Sequence, residues 1–86
     1  MADKIVVYST SWCGDCHRLM RELRDHQIPF EERDIEKSQT DYQTMMGYTH
    51  GKRVIPTVEI NGKILINPNY SQVAEALDLP KGAQPG

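Results

Sequence analysis

Two cysteines and the residues around them are the part of this chain best suited to chemistry. Cys13 and Cys16 are the only cysteines, and both lie within residues 10–17, which read TSWCGDCH. An apolar run at residues 5–7 precedes this segment, and an amphipathic stretch follows it. The pattern predicts a strand that ends before Cys13 and a helix that begins there. In that setting C-x-x-C indicates a redox dithiol.

The two cysteines are predicted to have different roles. A helix N-terminus has backbone N–H groups without partners and a partial positive charge, and both stabilise a thiolate placed there. Cys13 lies at that end, so we expect it to be the exposed attacking thiol, partly covered by Trp12. Cys16 shares a helical register with Leu19 and Leu23. It is therefore expected to be the buried resolving thiol.

Length and charge limit the classes of function. The 86 residues predict one domain over residues 1–80 and a flexible tail over residues 81–86. Ten basic and twelve acidic side chains argue against a nucleic-acid surface. No signal peptide is recognisable, and no run reaches the roughly 18 apolar residues that span a bilayer. We expect a cytoplasmic monomer without nucleic-acid or membrane partners. In the reducing cytoplasm, two close cysteines are more often catalytic or metal-binding than structural.

The hydrophobic pattern predicts an α/β fold with the order β-α-β-α-β-β-α, a mixed four-stranded sheet and helices on both faces. The expected strands cover residues 4–9, 30–35, 54–60 and 64–66, and the expected helices cover residues 13–25 and 38–46, with a third that opens at Asn69 and ends at Pro80. The first two strands should be parallel because a helix joins them. Asn61-Gly62 predicts a tight antiparallel hairpin, and Gln72 completes a capping box with Asn69.

Two separated motifs resemble the thioredoxin fold and, within it, the glutaredoxin family. WCGDC at residues 12–16 follows the first strand, and RVIPTV at residues 53–58 precedes the Asn-Gly hairpin. TSWCG at residues 10–14 and LINPN at residues 65–69 are more closely similar to the mycoredoxins, glutaredoxin-like proteins that act on mycothiol disulfides. The resemblance extends over nearly all of residues 4–78.

The resemblance implies a set of site residues. Pro56 would be cis and face the dithiol, and the backbone of Ile55 would pair with the cysteinyl part of a thiol substrate. Catalysis would rest on Cys13 and Cys16. The substrate-binding residues would be Trp12, Gly14, Asp15, Arg53, Ile55, Pro56, Asn67, Pro68 and Asn69.

Three positions depart from the pattern of the family. Thr10 stands where many glutaredoxins have a lysine, and Asp15 stands where an aromatic residue is common. Asn67-Pro68 replaces a glycine pair whose amides meet a carboxylate of glutathione. Because proline has no N–H, the last departure favours mycothiol over glutathione.

The expected activity is reduction of mixed disulfides between proteins and a low-molecular-weight thiol through Cys13. The small thiol, mycothiol or glutathione, would be a co-substrate, and no bound cofactor or metal is expected. The partners would be proteins carrying mixed disulfides, the small thiol and a disulfide reductase. Arg18 and Arg53 could either tune the site or be ordinary solvated charges.

Other interpretations of the dithiol remain open. One is a thioredoxin-like protein disulfide reductase, including the electron donors of ribonucleotide reductase. Cys13 to His17 also match C-x-x-C-H, the attachment motif of c-type haem. The absence of a recognisable signal peptide and the second motif at residues 53–58 argue against haem. Zinc bound by the cysteines and histidines, and an iron–sulfur cluster bridged between two monomers through Cys13, are further alternatives.

Overall fold

The computed structural model describes residues 4–77 and confirms the predicted order of elements. The strands are β1 (Ile5–Ser9), β2 (Glu31–Asp34), β3 (Thr57–Ile60) and β4 (Lys63–Ile66), and the helices are α1 (Gly14–Asp25), α2 (Gln39–Tyr48) and α3 (Tyr70–Ala76). The predicted helix end at Pro80, the domain limit at residue 80 and the tail at residues 81–86 lie outside the described residues.

The four strands form one mixed sheet in the order β2-β1-β3-β4. β1 is parallel to β2 and antiparallel to β3, and β3 is antiparallel to β4. Positive φ angles at Asn61 (51°) and Gly62 (89°) form the predicted hairpin between β3 and β4. β2 is an edge strand, and its charged sequence EERD suits that exposed position.

The side chains of β1 alternate between two apolar clusters, as expected for a strand that is covered on both faces. Ile5 and Val7 pack with the buried faces of α1 and α3, whereas Val6 and Tyr8 pack with Met45 of α2. The prediction of helices on both faces is therefore confirmed. None of the helices within residues 4–77 has the length and apolarity needed to cross a bilayer.

Several predicted boundaries were wrong by a few residues. β3 begins at Thr57 and not at residue 54, because Pro56 has no N–H for the ladder and the Thr57 hydroxyl donates to the Val54 carbonyl at 2.6 Å in a local turn. α2 continues to Tyr48, β2 is shorter by one residue at each end, and β4 begins at Lys63.

The strand register brings four connecting segments to one end of the sheet. Tyr8 pairs with Thr57, Thr57 pairs with Ile66, and Ser9 pairs with Asp34. Residues 10–13 after β1, 35–36 after β2, 53–56 before β3 and 67–69 after β4 therefore lie along the same edge. We call these four segments the rim. The rim contains both sequence motifs.

The capping box of α3 supplies a test of this part of the fold. Asn69 Oδ1 accepts the Gln72 N–H and Gln72 Oε1 accepts the Asn69 N–H, each at 2.9 Å. We expect Asn69→Ala to lower the free energy of unfolding by about 1 kcal/mol, because α3 loses its cap. Urea denaturation would measure this loss as a lower midpoint at constant slope. Asn69→Asp keeps an acceptor and should stay near the parent, and equal midpoints for all three proteins would contradict the assignment.

Candidate active site

The first cysteine is the N-cap of α1. Cys13 has extended backbone angles (φ −85°, ψ 112°), and its carbonyl accepts the first helical hydrogen bond from His17 N–H at 3.1 Å. Its Sγ accepts the Cys16 N–H at 3.3 Å. The nucleophile predicted from the sequence therefore occupies the position where a helix binds an anion, and both cysteines are free thiols.

The difference in burial between the two cysteines is smaller than predicted. Cys16 is fully buried, but Cys13 is only 9% exposed, so the expectation of an exposed attacking thiol was wrong. Cys13 packs in the same apolar cluster as Cys16, since its side chain turns back over the first turn of α1 to accept the hydrogen bond. Trp12 is 63% exposed and is the large apolar surface beside the dithiol.

The surroundings of Cys16 keep it protonated. Burial raises the pKa of the Cys16 thiol to about 12, and a hydrogen bond with the Cys13 side chain adds to the increase. The charges of Cys13 and Asp15 act in the same direction, and a hydrogen bond with the backbone of Thr10 opposes them. In the reduced protein, burial therefore favours the protonated thiol of Cys16 at neutral pH.

The second motif meets the segment after β4. The Ile55-Pro56 peptide bond is cis, and the Pro56 carbonyl accepts the Asn67 N–H at 2.8 Å. Ile55 is half-buried and packs against the cluster that contains Cys13. The structure thus brings the residues of the two motifs to one end of the sheet, as the resemblance implied.

A cleft of about 240 Å³ opens between α1 and the segment after β4. The predicted site residues that line it are Asp15, Asn67, Pro68 and Asn69. Its remaining lining residues are Arg18, Leu19 and Glu22 of α1. Gly14 is exposed at the start of α1, and the space around it is open, so a side chain would meet no neighbour there.

The other side of the rim contains a residue that the sequence analysis missed. Glu36, two residues after β2, accepts hydrogen bonds from the Trp12 indole N–H and from Arg53. It contacts two of the predicted site residues at once. A charged side chain directly beyond the carboxyl end of a parallel strand is the signal that could have identified it.

Two further polar residues lie beside the dithiol. Thr10 is fully buried, and its hydroxyl has no hydrogen-bond partner. His17, the ligand that a haem protein would use, is exposed, and its Nε2 donates to the Ser11 carbonyl at 2.6 Å. Within residues 4–77, no three histidine, cysteine or acidic side chains form a group that could hold a metal ion.

Comparison with known proteins agrees with this geometry. The family profile described as glutaredoxin matches residues 5–65. A putative glutaredoxin of Mycobacterium tuberculosis is 35% identical over 74 residues, which cover 85% of this chain and 88% of that protein.

Two solved structures show the same fold at lower identity. The glutaredoxin-like NrdH-redoxin from Escherichia coli has a TM-score of 0.64 at 18% identity, covering 78% of this chain and 83% of that one. Buckwheat glutaredoxin in complex with glutathione has a TM-score of 0.66 at 22% identity, covering 88% of this chain and 69% of that one. Glutaredoxins act with thiols of the glutathione kind.

The family profile covers more than half of the chain, and the mycobacterial relative aligns with most of it. This chain therefore belongs to the glutaredoxin family and is a thiol–disulfide oxidoreductase.

Proposed function

We propose that this protein reduces mixed disulfides between proteins and a small thiol, that Cys13 is the nucleophile, and that the preferred small thiol is mycothiol. The position of Cys13 as the N-cap of α1 supports its role as the nucleophile. The small thiol enters as a co-substrate, and the reaction uses no bound cofactor or metal.

The segment before α3 supplies the observation that carries the preference for mycothiol. Glutathione-binding members use backbone N–H groups in this place to bind a carboxylate. Here the Asn67 N–H donates to the Pro56 carbonyl at 2.8 Å, and the Asn69 N–H donates to Gln72 Oε1 at 2.9 Å. Pro68 between them has no N–H. The segment therefore has no free backbone donor for a carboxylate, and a sugar-linked thiol without those carboxylates suits it better.

The first chemical step is a thiol–disulfide exchange. The Cys13 thiolate attacks the small-thiol sulfur of the mixed disulfide, the bond between the two substrate sulfurs breaks, and the protein thiolate leaves and takes up a proton. Cys13 is then joined to the small thiol. A second small thiol attacks that sulfur as its thiolate and forms a small-thiol disulfide. Cys13 is released as a thiolate, so both electrons come from the two small thiols.

Cys16 is dispensable in this cycle. The small thiol itself releases Cys13, and in the reduced protein Cys16 is fully buried and its thiol pKa is raised by that burial. When Cys16 does attack Cys13, the small thiol leaves and a disulfide between the two cysteines forms. A separate reductase must then reduce it.

The remaining assignments follow from this chemistry. The partners are proteins that carry mixed disulfides, the small thiol and that disulfide reductase. We place the protein in the reducing cytoplasm as a monomer, where free dithiols persist. The iron–sulfur cluster, zinc and haem alternatives have no observation in their favour among the described residues.

The second candidate function is a thioredoxin-like dithiol reductase, including a donor to ribonucleotide reductase. The contact between the two cysteines favours it. The Cys16 thiol hydrogen-bonds with the Cys13 side chain, so the second thiol lies next to the first and could resolve a mixed disulfide. In that case Cys16 would be essential.

Variants of the two cysteines distinguish these functions. We expect Cys16→Ser to retain turnover on a peptide mixed disulfide and to prefer mycothiol over glutathione by about tenfold, since residues 67–69 offer a carboxylate no free backbone N–H. Cys13→Ser should show no turnover above the uncatalysed rate. The measurement is release of the reduced peptide with each small thiol at equal concentration.

Each of the other outcomes supports a different function. A Cys16→Ser variant that prefers glutathione keeps the mechanism but contradicts the proposed small thiol. Loss of turnover in Cys16→Ser with both thiols means that the dithiol reductase is the better assignment. Full activity in Cys13→Ser contradicts both.

Alkylation tests the protonation of Cys16 directly. Iodoacetamide should add one carbamidomethyl group to the native reduced protein at pH 7, on Cys13. Raising the pH to 9 should leave Cys16 unmodified, because its pKa of about 12 lies well above that range. Unfolding should expose both thiols. Intact mass and peptide mapping measure the result, and comparable labelling of both cysteines in the folded protein would contradict it.

A further inference from the structure

The carboxylate of Glu36 joins three segments of the rim. The Trp12 Nε1–H donates to both of its oxygens at 3.0 Å, and Arg53 Nη2 lies 3.2 Å from one of them. The guanidinium carbon of Arg53 lies 5.7 Å from the centre of the Trp12 ring. One side chain therefore holds the residue that precedes the nucleophile and the arginine that stands three residues before Pro56.

The backbone around Glu36 is held by the sheet. The Ile35 N–H donates to the Ser9 carbonyl at 3.0 Å, and the Glu36 N–H donates to Asp34 Oδ1 at 2.9 Å. These bonds extend the pairing of β1 and β2 by one residue and place the carboxylate above the end of the sheet. The backbone position of Glu36 therefore does not depend on the ion pair with Arg53.

The ion pair affects which substrates the rim can bind. An arginine binds carboxylates through two parallel N–H donors, so an unpaired Arg53 beside the dithiol would attract a thiol that carries carboxylates. In this protein the guanidinium already has a carboxylate partner and a ring face beneath it. Glu36 also places its own negative charge next to the site.

We propose that Glu36 is a specificity-determining residue that occupies Arg53 and thereby disfavours small thiols carrying carboxylates. Glu36 acts through Arg53 and does not touch the reacting sulfurs, so it is a positioning residue. The inference rests on one part of the proposed function, namely that the substrate is a mixed disulfide with a small thiol. The proposal adds a side chain that disfavours carboxylates on the small thiol, and this side chain is separate from the backbone segment at Asn67.

The cleft on the other side of the dithiol follows the same charge pattern. Arg18, the arginine that lines it, shares the cleft with the carboxylates of Asp15 and Glu22. Both arginines for which the sequence suggested a tuning role therefore have acidic neighbours. The two sides of the site combine to favour an uncharged or weakly charged small thiol.

Glu36→Gln tests the proposal with little change of shape. Glutamine keeps an oxygen that can accept the Trp12 N–H, but it cannot pair with Arg53 as an ion. One peptide is prepared as its mixed disulfide with glutathione and with uncharged β-mercaptoethanol. Excess reduced enzyme is mixed with each at low salt, and the single-turnover rate of peptide release is measured. We expect the glutathione-to-mercaptoethanol rate ratio to rise about two- to fivefold in Glu36→Gln. The rise should shrink at high salt.

Two further variants show whether the effect is specific. Glu31→Gln removes an equally exposed carboxylate that pairs with Arg33 at 2.6 Å at the opposite end of β2, so its rate ratio should match the parent. Adding Arg53→Met to Glu36→Gln should abolish the rise in the rate ratio, because the freed guanidinium produces it.

Fluorescence of Trp12, the only tryptophan, should show little change of emission in Glu36→Gln.

An unchanged rate ratio in Glu36→Gln would overturn the proposal. A rise in the rate ratio that persists in the double variant, or that Glu31→Gln reproduces, would also overturn it. Either result would mean that the freed Arg53 does not cause the rise. Failure of the proposed function would look different. The parent enzyme would then release the peptide from neither mixed disulfide, or would do so without Cys13.

Discussion

The hydrogen bond from the Cys16 N–H to Cys13 Sγ is the interaction on which the site depends. It makes the sulfur of the proposed nucleophile the cap of α1. A capping side chain must lie close to the first turn of the helix, so the position of the nucleophile is set by α1 as a whole. The same requirement explains why Cys13 is only 9% exposed.

The sheet register then determines what surrounds this sulfur. β1 delivers Cys13, and its antiparallel pairing with β3 brings Pro56 to the same end. Its parallel pairing with β2 brings Glu36, and the hairpin between β3 and β4 brings Asn67. Each rim segment comes from a different part of the chain. A shift of register by one residue in any pair would turn the side chains of that strand to the opposite face and move its segment relative to the sulfur.

The features that the sequence predicts well are local. The buried face of α1, the Asn61-Gly62 hairpin and the capping box of Asn69 each depend on a few neighbouring residues, and the structure has all three. The errors involve contacts between distant segments. The burial of Cys13 depends on packing in the apolar cluster with the sheet as well as on the local cap, and the role of Glu36 depends on residues 24 and 17 positions away. The sequence also indicates an interruption of the third strand at Pro56, because proline cannot donate to a ladder, and β3 begins directly after it at Thr57.

The Asn67 N–H donates to the carbonyl of Pro56, which lies opposite it in the register that the Asn61-Gly62 turn sets. In the proposed function this bond links the conformation of the fold to the choice of small thiol. An N–H that donates within the protein lowers the free energy of the folded state and is lost to a ligand at the same time. The Asn69 N–H is used in the same way by the cap of α3, and the Arg53 guanidinium by Glu36. Hydrogen bonds that stabilise the rim are thus the reason that it offers few donors to a carboxylate. In the proposed function, selectivity for an uncharged thiol would then require no added binding group, only that these internal partners stay in place.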